Sequence, residues 1–120
     1  MKDYGPSIEV NREGQIAVVK LLDEEILEEG IINTIAESLF SLVADNPEVK
    51  LLLNFTNVKH LSSSALGTLI RLNKRVEEHN GTLKLCELQK SLYEIFVITK
   101  LNRLFEIYDE KETALSSFDI

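Results

Sequence analysis

Three consecutive hydroxyls, Ser62-Ser63-Ser64, are the residues of this chain with the most chemistry within reach. They follow the apolar run Val49-Lys50-Leu51-Leu52-Leu53-Asn54-Phe55 and precede Ala65-Leu66-Gly67, where a helical pattern begins. A serine in such a place can be a nucleophile, a helix cap or a phosphate acceptor. Nucleophilic catalysis needs a base and a strained elbow, yet there is no Gly-x-Ser-x-Gly, and the only histidines are His60 and His79. His60, beside the serines at a strand end, reads as solvent-facing. An enzyme is not expected. Two isolated histidines and the lone Cys86 make no metal-ligand spacing, and no glycine-rich loop cradles a nucleotide phosphate, so neither metal nor cofactor is expected. Two uses remain. A serine at a helix start caps the first free backbone N–H groups. The same N–H groups and the helix dipole also tolerate a phosphoserine. One hydroxyl suffices for a cap, and three leave hydroxyls to spare.

The elements that must position these serines follow from periodicity. Residues 49–55, bounded by Asn46-Pro47, read as a central strand buried on both faces. After the serines, Ala65, Leu66, Leu69, Ile70, Leu72 and Val76 share one arc of a helix, with Arg71, Lys74, Arg75 and Glu78 opposite. Asn73 falls within the apolar arc, as a buried polar residue. Upstream, residues 1–6 read as a loose arm, and residues 7–10 and 15–20 as a hairpin through Glu13-Gly14. Ile31, Ile32, Ile35, Leu39, Leu42 and Val43 predict a helix that stops at Asp45-Asn46-Pro47. Downstream, Asn80-Gly81 is a turn and Thr82 to Glu87 a strand. Ser91 to Lys100 is a helix expected to bury Leu92, Ile95, Phe96 and Thr99, and Leu104 to Tyr108 a final strand. Asp109-Glu110-Lys111-Glu112 suggests a capping box for a last helix carrying Ala114, Leu115 and Phe118. Strands separated by helices imply one α/β domain over residues 1–120, a mixed β-sheet of about five strands flanked by about four helices.

Composition bounds the partners. The chain has 120 residues and a net charge of −7, and the whole excess lies in residues 1–50, which hold four Lys or Arg against eleven Asp or Glu. Such a chain does not bind nucleic-acid phosphates through counterion release. The cluster Asp23, Glu24, Glu25, Glu28 and Glu29 reads either as a docking surface for a basic partner or as a solvated loop whose acids favour the next helix start. Cys86, alone in an apolar strand, reads as a core thiol and fits a reducing compartment. Without a membrane-length apolar run or a signal-peptide core, the expected location is the cytoplasm, with no direct membrane insertion.

The stretch from Asn54 to Gly67, Asn-Phe-Thr-Asn-Val-Lys-His-Leu-Ser-Ser-Ser-Ala-Leu-Gly, resembles the signature of the STAS domain, shared by sulphate transporters and bacterial anti-sigma factor antagonists. In that family a hydrophobic residue ends a strand, Asp-Ser-Ser/Thr-Gly-Leu-Gly opens a helix, and the serine after the aspartate is phosphorylated. Leu61 matches the hydrophobic position, Ser62 the aspartate, Ser63 the phosphorylated serine, Ser64 the next hydroxyl and Ala65 the first glycine. Ser62 and Ala65 depart from the pattern. The resemblance extends through Asn80-Gly81 with Leu83 to Cys86 and through Leu101 to Phe105. The family's Gly-Glu-Leu-Asp-like element before the first long helix has its counterpart near Glu24-Glu25-Ile26-Leu27, without the glycine.

The resemblance implies a phosphorylation switch at Ser63, with Ser62 and Ser64 as lesser candidates. It places the partner surface on Asp23, Glu24, Glu25, His60, Ser62, Ser63, Ser64 and Thr68. The implied partners are an ATP-using anti-sigma factor serine kinase and a metal-dependent serine phosphatase, so the protein would regulate transcription indirectly. Two other roles fit the residues: an unphosphorylated interaction module whose serines only cap a helix, or a subunit of a lipid-transport complex of the kind that employs STAS domains.

Overall fold

The computed structural model describes residues 4–118. Its centre is β4 (Lys50–Asn54), in which Leu51, Leu52 and Leu53 are all fully buried. A strand apolar at consecutive positions needs cover on both faces, and the order of elements supplies it. β1 (Ile8–Glu13) pairs antiparallel with β2 (Ile16–Leu21) through a turn in which Gly14 has φ +63°. β2, β4, β6 (Thr82–Cys86) and β7 (Glu106–Tyr108) then run parallel, giving a five-stranded sheet in the order β1-β2-β4-β6-β7.

Parallel neighbours require crossovers, and α1 (Glu29–Asp45), α2 (Ser63–Glu78) and α3 (Lys90–Ile98) provide them. Leu39, Leu42 and Val43 of α1 and Leu72 and Val76 of α2 form one core with Leu51 and Leu53. Phe96 of α3 meets Phe105 edge to face in the same core, with ring centroids 5.9 Å apart. The other side chain of the central strand, Leu52, packs with Ile16, Val18 and Cys86 beneath Ala114 and Phe118, carried by α4 (Lys111–Ser117) and its following residue. This is the mixed sheet with four helices that the sequence predicts, and Asn73 is buried as its place on the arc requires.

The end of α2 shows why Asn80-Gly81 turns the chain. Asn80 adopts φ +61°, its N–H bonds to Glu77 O at 3.0 Å, and the Gly81 N–H bonds to Val76 O at 2.9 Å. These two bonds satisfy the last carbonyls of the helix. A Cβ on Gly81 would lie 2.6 Å from Val49 O, so only glycine lets the chain pass this close to the start of β4.

Several expectations are corrected. Of the expected loose arm, residues 1–3 lie outside the described residues. From Tyr4 the chain is tied down: Ser38 donates a short hydrogen bond to Tyr4 O, and the Tyr4 hydroxyl donates to Asp45 Oδ2 at 2.9 Å. Ile70 is 40% exposed rather than inward, because the apolar arc of α2 closes on the sheet through Leu69, Leu72 and Val76. Thr99 is exposed at the end of α3, its hydroxyl returned to Ile95 O at 2.7 Å. The capping box at Asp109 to Glu112 does not form. Glu110 is the N-cap without a side-chain bond, and Glu87 Oε2, from the end of β6, accepts from Lys111 N at 2.8 Å instead.

Candidate functional site

The acidic segment is more than a loop. Residues Glu25–Ile26 form a short strand, β3, paired in parallel with β5 (His60–Leu61). Glu24 O accepts from Lys59 N at 2.8 Å and from His60 N at 3.2 Å, and Ile26 O accepts from Ser62 N at 3.1 Å. The pairing carries the chain from the end of β4 directly to the start of α2. Ile26 is buried beneath it, and Leu61 packs against the same core. Glu24 and Glu25 therefore lie beside Lys59 and His60, and Ile26 beside Leu61 and Ser62, although more than thirty residues of sequence separate them.

The three serines have different positions. Ser62 is the N-cap, with φ −85° and ψ 168°, and its Oγ accepts from Ala65 N at 3.1 Å. The structure thus gives the capping role to the serine that stands where the STAS pattern has aspartate, another good N-cap residue. Ser63 and Ser64 open the helix and are exposed, and among the described residues neither hydroxyl has a hydrogen-bond partner. No acidic residue occupies the first turn of α2. Thr68, one turn on, is only 4% exposed; it donates to Ser64 O and accepts from Arg71 Nη2, each at 3.1 Å. It supports the first turn from within.

Of the acids, Glu24 pairs with Lys59 at 3.4 Å in an exposed contact, worth little to stability. Glu25 stands in register with His60, and both are exposed. Asp23 is half-buried, and its Oδ2 is buried without a hydrogen-bond partner among the described residues. Glu28 and Glu29 lead into α1, where Glu28 is the N-cap without a side-chain bond and Glu29 lies in the first turn. The helix-favouring reading of these two acids thus has a physical basis in their position.

Beside this cluster runs an open groove between the β3/β5 ribbon and α3, with Leu27, Leu61, Leu92 and Ile95 on its floor and His60 and Ser91 at its rim. It adjoins the serines through Leu61. A second cavity, beneath the ribbon, is enclosed by side chains such as Leu21, Ile35, Phe55 and Leu69, and its roughly 20 Å³ holds no ligand larger than a water. Sequence reasoning missed the ribbon and the groove. The available signal was Leu61, isolated between His60 and Ser62, and the pair Ile26-Leu27, set between the acids Glu25 and Glu28.

Cys86 lies away from this end, buried under α4, and burial pushes its thiol up to about 12, with the Glu87 carboxylate adding to the effect. Such a thiol is inert at neutral pH. Among the described residues no group of three His, Cys, Asp or Glu side chains could hold a metal ion, and no helix is long and apolar enough to cross a membrane.

Comparison with known proteins agrees with this architecture. The family model described as the STAS domain matches residues 7–114. A Bordetella bronchiseptica protein named as an anti-sigma factor antagonist, BtrV, is 28% identical over 94 residues, covering 75% of this chain and 81% of its own. An anti-sigma factor antagonist (STAS) domain protein from Planctomyces limnophilus superposes with a TM-score of 0.80 at 23% identity, over 92% of this chain and 96% of that one. The Bacillus cell fate determinant SpoIIAA in its phosphorylated form superposes with a TM-score of 0.66 at 17% identity, over 91% of this chain and 96% of that one. With the family model spanning the sheet, the crossover helices and the serine-led helix start, the chain belongs to the STAS domain family.

Proposed function

We propose that this protein is an anti-sigma factor antagonist, switched by phosphorylation of Ser63. The observation that carries the reading is the division of labour among the serines: Ser62 caps α2 through Ala65 N, which leaves the Ser63 hydroxyl exposed and uncommitted at the helix start. BtrV is named for the same activity, and SpoIIAA, named as an anti-sigma factor antagonist, has been solved in phosphorylated and unphosphorylated forms. In this reading the unmodified protein binds a kinase-type anti-sigma factor through the serines, His60 and the acids Asp23, Glu24 and Glu25, and so frees a sigma factor in the cytoplasm. The kinase transfers the γ-phosphoryl group of ATP to Ser63 Oγ: the Oγ–P bond forms, the bond to the β-phosphate oxygen breaks, ADP leaves and the serine proton passes to a base. A metal-dependent serine phosphatase reverses the step by hydrolysis.

The physics of release is electrostatic. A phosphoserine adds about −1.5 to −2 charges, beside a ribbon that already carries Glu24 and Glu25. A contact surface that buries small hydroxyls against its partner is then repelled and left with an undischarged desolvation cost. The test is the affinity of Ser63→Asp and Ser63→Ala for a kinase-type anti-sigma factor from the same cells. Weakened binding by Ser63→Asp with wild-type binding by Ser63→Ala is expected; equal affinity of the two variants overturns the switch.

A further inference from the structure

Gly67 has no local explanation within α2. A glycine inside a helix is less favourable than an alanine, because it loses more backbone freedom on folding. Yet its φ is not positive, and an added Cβ would meet only Arg71 Nη1, at 3.9 Å, an ordinary contact. Neither backbone nor packing demands it. What the bare position leaves open is the helix surface between Ser63, one turn before it, and Arg71, one turn after it.

Arg71 reaches back across that surface. Its Nη2 donates to Thr68 Oγ1 at 3.1 Å, and Thr68 Oγ1 donates to Ser64 O at 3.1 Å. Two such contacts in series hold the guanidinium within about 6 Å of the Ser64 carbonyl oxygen. Lys59, Arg75, Lys84 and Lys111 each have a carboxylate within ion-pair distance, whereas among the described residues Arg71 has only the Thr68 hydroxyl. The guanidinium is thus directed along α2 towards the exposed serines, without a carboxylate partner among the described residues.

We propose that Arg71 is the intramolecular counter-charge for a phosphate on Ser63, drawing it over Gly67 and away from the carboxylates of Glu24 and Glu25. The inference rests on the phosphorylation reading of Ser63 and adds a residue and a geometry to it. Positions 63 and 67 are neighbours on one face, about one helical turn apart, and the guanidinium stands just beyond position 67. A phosphate projecting from Ser63 and an arginine that lets go of Thr68 close that gap by side-chain rotation alone. The pair is of the charge-assisted, two-pronged kind that guanidinium and phosphate form well. Its consequence is steric as well as electrostatic: the paired groups cover Gly67, the bare stretch against which a partner could otherwise approach the helix backbone.

The experiment installs phosphoserine at position 63 by genetic encoding and follows its second ionisation by phosphorus-31 NMR in the wild-type, Arg71→Gln and Arg71→Lys backgrounds. The phosphate is expected to ionise about half a pH unit lower in the wild type than in the Arg71→Gln background, where an uncharged amide replaces the guanidinium; one charge about 5 Å away across surface water produces a shift of that size. Arg71→Lys is expected to restore part of the shift. Equal values in wild type and Arg71→Gln overturn the proposal. Because the phosphate is supplied synthetically, this result stands apart from whether the cell phosphorylates Ser63, which phosphosite mapping decides. Thermal melts of the unmodified variants verify that each is folded.

Discussion

Replacing Ser62 by alanine separates the structural serine from its neighbours. The Ser62 Oγ is the acceptor for Ala65 N, at 3.1 Å. Loss of such an N-cap costs about 0.5–2 kcal/mol. Ala65 is only 4% exposed, so its freed N–H has little access to water, and the expected loss lies in the upper part of that range, about 1–2 kcal/mol. For a domain of this size each kcal/mol moves the melting temperature by about 4 °C, so Ser62→Ala should melt about 4–8 °C lower. Urea denaturation should show a lower midpoint with an unchanged slope. Ser63→Ala and Ser64→Ala remove exposed hydroxyls that bond to nothing among the described residues, and each should stay within about 0.5 kcal/mol of wild type. Ser62→Asp keeps an acceptor at the cap and adds a charge favoured by the helix dipole, so it should retain wild-type stability within the same margin. An unaffected Ser62→Ala, or a Ser63→Ala that costs as much, would refute the assignment of the cap.

Other consequences follow from the packing. Gly81→Ala forces a methyl to within 2.6 Å of Val49 O, a backbone atom that cannot yield, and should cost about 1–3 kcal/mol by urea denaturation. Lys84, 6% exposed, donates to Ser117 O and Oγ at 2.9 Å each and stands 4.7 Å from the Phe118 ring centroid. Lys84→Met should therefore loosen α4 and speed alkylation of Cys86 beneath it, as read by mass spectrometry. The Cys86 thiol, pushed up to about 12, holds its proton in the folded state when the unfolded chain gives it up from about 9. Its contribution is thus complete below pH 9 and is lost as pH rises from 9 towards 12, at up to about 1.4 kcal/mol per pH unit. The urea midpoint of Cys86→Ala should fall less steeply over this window than that of wild type.

The large elements were legible because many residues repeat the same signal. Leu51 to Leu53 can be buried together only in a strand covered on both faces, and the arcs of α1 and α2 each hold several apolar residues at helical spacing. The pairing of β3 with β5 was not legible, since two residues have no period and their register depends on where β4 and α1 place them. The missing capping box has a similar origin: the Lys111 N–H is satisfied by Glu87, which only the fold brings near. Lys84, between Leu83 and Leu85, faces α4, which covers that side of the sheet and supplies the lysine with acceptors that only the fold brings near. At the candidate site, sequence located the helix start and its serines. Which hydroxyl caps the helix, and that Thr68 turns inward, depend on the entry angle set by the β3/β5 ribbon.

The central claim is that Ser63 carries the switch, and phosphosite mapping by mass spectrometry on the endogenous protein tests it most directly. The account predicts an added phosphate on Ser63 and none on Ser62, whose hydroxyl is committed to the cap. Absence of phosphate from Ser63 across growth conditions would contradict it and leave a STAS interaction module whose serines serve only the helix.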